Sequence, residues 1–495
     1  MKQSLLTERI FSNIYYGVIA VLIGLGIGIS FVVVEDKVLL AGGILAGFLL
    51  VSIIFRPDWG VLILIFITYT RFSDNLIDYY GLPSVARAYI SFLVLVIAIR
   101  WISFKEIPKG WEKAIWPILA YGVISFTSSL AKGNFELAQT ALLDYVKDAI
   151  IAIIITILLR DSSTFKKTMW LLLIVGIFLG GISVYQYVSQ DFTNPIGGFG
   201  QTDFKNIVGK EKDFRVSGPV GDPNYYAQIM LVLFPIGFER FWNDKSKVKK
   251  IIALLSFILT LSAVVLTFSR GGFVALLITG ILLIIYFKLD VARIIFILLV
   301  MFLFIQFLPD NYLSRMETLS FLVPGSETDP RTEVSYRGRI SEVVVGLQMF
   351  LDNPVLGVGY NNYNINYLDY SRRLGIDPRF EYRSAHSLYV EVAAETGILG
   401  LMVYTFILYQ VFSGIVKSWR QLKEHGEDEQ ASMVAGFAIG FIGYLAAALF
   451  IHDAYPRYFW LLVGIAFTIP NITQNTLVQN HLKNGVSNHR DFKSI

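Results

Sequence analysis

Long apolar runs separated by short polar connections fill nearly the whole chain. A helix needs about 20 predominantly apolar residues to cross a hydrocarbon core. Runs of that character lie at 14–34, 38–55, 59–70, 88–104, 114–130, 138–159, 167–189, 224–239, 250–268, 271–288, 291–308, 387–416, 431–451 and 456–471. The pattern predicts an all-α polytopic membrane protein of about 12–14 transmembrane helices. Residues 1–495 then form a single transmembrane domain. The run at 59–70 is short enough to be re-entrant. The first run exceeds a signal-peptide core and lacks a small-residue cleavage site, so a retained helix is expected.

One connection breaks the rhythm. Residues 309–386 are expected to form a single long extracytoplasmic loop. Within it Ile340, Val343, Val344, Leu347, Phe350 and Leu351 recur at the i, i+3/i+4, i+7 spacing of a helix. The stripe opens at Tyr336-Arg337-Gly338-Arg339 and stops before Asn353-Pro354, a helix terminator. An amphipathic helix of this kind lies along a membrane surface or covers a cavity.

Composition agrees with the pattern and narrows the chemistry. The chain is 55% hydrophobic and 16% charged, against about 25% charged residues in soluble domains. A net charge of +4 over 495 residues, with no RNP-like, zinc-finger or basic-region motif, argues against a nucleic-acid partner. The chain contains no cysteine, which rules out disulfides, thiolate-held metals and cysteine nucleophiles.

Basic residues in short loops set the orientation. They gather after the fourth span (Lys105, Lys109, Lys113), the sixth (Arg160, Lys166, Lys167) and the eighth (Arg240, Lys245, Lys247, Lys249, Lys250). They return after the tenth (Lys288, Arg293) and the twelfth (Lys417, Arg420, Lys423). All are even-numbered connections, so both termini are expected to be cytoplasmic. The 190–223 loop dissents, with Lys205, Lys210, Lys212 and Arg215 among several acidic residues on the outer side. This orientation places the 190–223 loop, the Ser269-Arg270-Gly271 connection, the 309–386 loop and the His452–Arg457 connection together on the outer face.

Arg270 sits where two apolar runs meet with almost no loop, in Phe268-Ser269-Arg270-Gly271-Gly272. A cation at that depth is costly, less so near the surface than at the bilayer centre. It either snorkels and marks a helical hairpin or faces the bundle interior to hold an anionic ligand. The adjacent glycines, which let a backbone or ligand approach closely, favour the second. Arg339, in the first turn of the loop helix, is placed either to meet a lipid-borne phosphate or to pair with Glu342. Leu356-Gly357-Val358-Gly359-Tyr360-Asn361-Asn362-Tyr363 reads as a turn rather than a phosphate loop, because no strand precedes it and no lysine follows. His386, the one histidine of the long loop, is a candidate proton acceptor for a hydroxyl nucleophile, an effect worth roughly 10²–10⁴-fold in rate. The alternative is an interfacial histidine with no role. Glu391 and Glu395, four residues apart, share a helix face, where they either orient polar partners or favour the helix N-terminus.

Taken together these segments resemble the O-antigen ligase and Wzy-type polymerase superfamily. Arg215-Val216-Ser217-Gly218 with Gly221-Asp222-Pro223-Asn224 and Ala227 is similar to its first motif, and Ser269-Arg270-Gly271 to its second. Gly338-Arg339-Ile340 followed by Pro354-Val355-Leu356-Gly357-Val358-Gly359 resembles the third. His386-Ser387-Leu388-Tyr389 with Glu395-Thr396-Gly397 and Gly400-Leu401 resembles the fourth, although the family usually has Asn where Ser387 stands. The likeness covers about 210–405 and runs in the family's order.

The resemblance implies a GT-C-like membrane glycosyltransferase with its catalytic core at 210–405 and a periplasmic loop at 309–386. The expected donor is an undecaprenyl-diphosphate-linked glycan, and the expected acceptor is lipid A-core or a growing glycan. Membrane lipids surround the chain, and neither cofactor nor metal is implied. His386, Arg270 and Arg339 are the expected catalytic residues. Arg215, Asp222, Asn224, Arg337, Ser387 and Glu395 are expected around the substrate. The location implied is the bacterial inner membrane. Repeat-unit polymerisation is the nearest alternative to ligation. A lipid-oligosaccharide flippase is the more distant one, its support being Asp144, Lys147 and Asp148 within a predicted span.

Overall fold

The computed structural model describes residues 50–133, 135–208, 211–288, 334–376, 381–452 and 454–491, with isolated positions at 47 and 295. The predicted runs at 14–34 and 291–308, and most of 38–55, lie outside the described residues. In chain order the helices are α1 (Pro57–Tyr69), α2 (Phe72–Tyr80), α3 (Val85–Phe104), α4 (Glu112–Leu130), α5 (Phe135–Leu158) and α6 (Ser162–Ser189). A hairpin of β1 (Gln201–Val208) and β2 (Glu211–Gly218) precedes α7 (Pro223–Asn243), α8 (Lys247–Leu266) and α9 (Arg270–Phe287). The long loop holds α10 (Val334–Asp352) and α11 (Tyr363–Leu374), and α12 (Leu388–Glu424), α13 (Asp428–Ala447) and α14 (Pro456–Asp491) follow.

This is an all-α polytopic membrane protein. Seven of the described helices are long and apolar enough to cross a bilayer. The short run at 59–70 proves to be part of a bent pair, α1 and α2, which turn by 52° at Thr70–Arg71 and together make an eighth candidate. Ile102, Trp116, Val123, Val188, Ile251, Ile285 and Tyr409 are each more than half exposed. Apolar side chains exposed in such number would drive association in water, whereas in lipid they form the outer belt of the bundle. Helix α7 lies at the centre, buried on nearly every side from Pro223 to Arg240 and packed between α8 and α13.

The two ends of the bundle are built from different segments. At one end basic residues near the helix termini meet carboxylates: Lys167 with Asp58 at 2.9 Å, Arg100 with Glu106 at 2.7 Å, and Lys166 and Arg240 with Glu429. The opposite end collects the segments singled out in the sequence. There Leu388 N donates to the Ala448 carbonyl at 3.0 Å, and the Tyr455 hydroxyl donates to the Val220 carbonyl at 2.7 Å.

Two local features differ from expectation. Residues 201–218 form an antiparallel hairpin in a loop where no regular element was expected, because its alternation is short and crowded with charge. The loop helix is present as α10, but much of its apolar stripe faces outward. Ile340, Val344, Leu347 and Leu351 are exposed, while Ser341, Glu342, Val345, Gly346 and Met349 are buried. The buried face meets polar partners, such as the Tyr367 hydroxyl 3.0 Å from Ser341 Oγ. The apolar stripe is left facing away from the protein core, as suits a helix lying at a membrane surface.

Candidate active site

The Asp-Pro-Asn and Ser-Arg-Gly segments are the starts of two helices. Asp222 caps α7, its Oδ1 accepting from Asn224 N at 2.7 Å and Tyr225 N at 3.3 Å, with Pro223 in the first turn. Ser269 caps α9, its Oγ accepting from Gly272 N at 3.1 Å. Asn224 joins the two, its Oδ1 accepting from Ser269 Oγ at 2.8 Å and from an Arg215 Nη at 3.4 Å. Arg215, buried on β2, also donates from Nε to the Thr267 carbonyl at 2.8 Å. Arg270 itself is buried, with 8% of its surface exposed. The backbone pays for this tight connection at Phe268, which adopts a left-handed conformation (φ 52°) that costs a non-glycine residue about 1–3 kcal/mol.

Arg339 reaches this connection from the loop. It lines a narrow pocket with Asn224, Ser269, Gly271, Gly272, Phe450 and Ile451. No carboxylate is among the described residues lining that pocket. Arg337 lies in the first turn of α10, with its side chain outside the described residues.

His386 stands where the loop meets α12 and is also left-handed (φ 46°). Its Nε2 lies 4.0 Å from Oε2 of Glu342, which is one turn beyond Arg339 on α10 and only 1% exposed. The other oxygen of Glu342 accepts from Arg383 Nη1 at 2.6 Å. On its far side the His386 ring packs against His452, with centroids 5.5 Å apart, and His452 packs against Tyr225 at 5.5 Å. Burial pulls the His452 imidazole down to about 4, an effect opposed by the nearby Asp222 carboxylate. Ser387 is buried at the N-cap of α12 but makes no side-chain cap bond.

Glu395 holds the loop in place. Its buried carboxylate accepts from Asn361 N at 2.8 Å and Tyr363 N at 2.9 Å, which satisfies the start of α11. The glycine-rich stretch is a turn, as expected, pressed against a break in α12 at Gly397 (φ 63°, ψ −161°). A Cβ on Gly357 would come within 2.3 Å of the Glu395 backbone, and one on Gly397 within 2.4 Å of Val355. Only two glycines facing each other let these backbones meet.

Several contacts here had no signal in local sequence: Glu342 with His386, Arg383 with Glu342, His452 with His386, and the network of Arg71, Asp74 and Arg457. Arg457 Nη1 is 2.7 Å from Asp74, which Arg71 Nε also meets at 2.9 Å. Asp148 faces Arg457 at 3.7 Å, and Asp144 pairs with Lys147 at 2.8 Å on a largely exposed surface. Among the described residues, no three His, Asp or Glu stand together as metal ligands would.

Residues 255–405 match the family model described as O-antigen ligase. The matched stretch includes Arg270, Arg339, His386, Ser387 and Glu395, while Arg215, Asp222 and Asn224 precede it. No curated protein matches the chain.

Proposed function

From its O-antigen ligase domain at residues 255–405, of the O-antigen ligase/Wzy-type superfamily, we propose that the chain transfers a glycan from an undecaprenyl-diphosphate carrier to an acceptor hydroxyl of lipid A-core. The reaction takes place at the periplasmic face of the bacterial inner membrane, with both termini cytoplasmic and 210–405 as the working core. The observation that carries this reading is the meeting of four dispersed segments at one end of the bundle. Asn224 ties Arg215 to Ser269, Arg339 lines the same pocket, and Glu342, one turn along α10, faces His386.

The acceptor oxygen attacks the anomeric carbon and gives its proton to His386, while the bond from that carbon to the phosphate oxygen breaks. The electron pair leaves with the lipid diphosphate. Negative charge grows on that group in the transition state, so cations fixed beside it lower the barrier more than they tighten ground-state binding. Arg270 and Arg339 supply that charge, since guanidinium forks match phosphate oxygens and need no metal to do so. The Glu342 carboxylate, 4.0 Å from the ring, favours the protonated imidazole that forms during transfer. Arg215, Asp222, Asn224 and Glu395 hold the two helix starts and the loop around the substrate.

The test is transfer by the full-length chain in nanodiscs, using lipid-linked glycan with and without lipid A-core. Glycan-capped lipid A is the expected product, and His386→Ala should lower its rate by about 10²–10⁴-fold. Chain growth without lipid A-core would turn the reading to a repeat-unit polymerase. Full transfer by His386→Ala would overturn the role of the histidine.

A further inference from the structure

A second space lies beside His386, and its chemistry differs from that of the Arg339 pocket. A cavity of about 780 Å³ opens between α2, α3, α5, the turn after α10 and the 452–457 connection. That size is within the roughly 300–1,000 Å³ typical of small-molecule sites. Among the described residues, five carboxylates and four cations line it. Three of those cations are already engaged: Arg71 with Asp74 at 2.9 Å, Arg457 with Asp74 at 2.7 Å, and Lys147 with Asp144 at 2.8 Å. A diphosphate placed here would have to break these pairs and would meet surplus carboxylate. A neutral, hydroxyl-rich ring meets no such penalty. Its O–H groups donate to carboxylates, and the Asn361 and Asn364 amides both donate and accept. Tyr360 offers an aromatic face.

The cavity also reaches the proposed point of reaction. His452 and Ser384 line it. The His452 ring packs against that of His386, with centroids 5.5 Å apart, and Ser384 is two residues before His386 in the chain. The space therefore ends about one ring's width from the proposed base. We propose that this cavity is the acceptor compartment, which takes the uncharged saccharide end that carries the attacking hydroxyl, while the donor diphosphate lies on the Arg270–Arg339 side. The assignment rests on the transfer reading above and divides its two substrates between two differently charged spaces.

Two measurements on the full chain in nanodiscs test it, using glycan released from the native acceptor and undecaprenyl diphosphate as separate probes. Saturation-transfer NMR should show the released glycan binding to the wild type. Asn364→Ala, at an exposed position, and Asp148→Asn should each weaken that binding roughly tenfold and leave undecaprenyl diphosphate binding within about twofold. In transfer assays the same variants should raise the KM for acceptor by a similar factor, with the donor KM and kcat kept. A raised donor KM, or displacement of the glycan by undecaprenyl diphosphate, would give the cavity to the donor. Equal glycan binding by wild type and both variants, or none by the wild type, would overturn the compartment. A wild type that binds glycan in this way but transfers nothing leaves the compartment standing and removes the transferase reading.

Discussion

Two arginines, one at each end of this bundle, sit in different surroundings. Arg240 is fully buried and held by both oxygens of Glu239 at 2.6 Å, with Glu429 at 3.2 Å. Its partners are built in, so its charge is spent within the fold. Arg339 is partly exposed and lines a pocket with no carboxylate among the described residues. Arg240 is enclosed by its carboxylates, whereas Arg339 stands at the wall of a pocket.

Substituting the arginines at each end should break this contrast most strongly. Arg339→Gln or Arg270→Gln should lower transfer by about 10²–10³-fold, with membrane abundance unchanged. Arg240→Gln should do the reverse. It leaves Glu239 buried without its partner, a loss of about 3–5 kcal/mol, and should reduce thermal stability and abundance while the surviving molecules transfer normally. Rates normalised to folded protein would show this, and equal loss of abundance at both ends would erase the distinction.

A smaller effect is expected at Glu342, which belongs to both worlds: paired with Arg383, yet facing His386. Glu342→Gln should lower kcat roughly tenfold with both KM values kept, and Glu342→Asp should restore part of the rate. A changed acceptor KM with normal kcat would make Glu342 a binding residue instead. The smallest effect concerns acid. His452 is held near 4 by burial, below the roughly 6.5 of an unfolded histidine. The unfolded chain therefore takes up a proton first as pH falls, so stability is full above about 6.5 and declines towards 4. His452→Phe should flatten that limb of the melting-temperature profile between pH 6.5 and 4, and an unchanged slope would assign acid sensitivity to other groups.

Hydropathy read the bundle well because bilayer burial acts on one helix at a time. The predicted spans at 88–104, 167–189, 250–268 and 271–288 fall within a few residues of α3, α6, α8 and α9. It missed the last turns of α12, where Lys417 to Glu424 carry the helix beyond any apolar run. Arg270, Arg339 and His386 stood out because each is a polar group in an unusual apolar or loop context. Glu342 was visible only as a possible partner of Arg339, and His452 only as the start of a connection expected on the outer face. Their relation to His386 depends on contacts made across long stretches of chain. The β-hairpin and α11 are also tertiary products, α11 being started by a carboxylate from α12.

The break at Gly397 bears on the order of assembly. Ala394 and Glu395 offer their carbonyls not to the next turn of α12 but to Val358 N at 2.8 Å and Gly359 N at 3.1 Å. In return Ile398 N donates to Pro354 at 2.8 Å and Leu399 N to Val355 at 3.4 Å. Until residues 354–359 arrive, Ala394 O, Ile398 N and Leu399 N of a newly formed α12 lack these mates, and Glu395 O has only the Ser128 hydroxyl of α4 at 2.6 Å; close to lipid such groups are expensive to leave bare. Folding of the loop thus completes α12, so formation of this helix and construction of the candidate site finish in the same step.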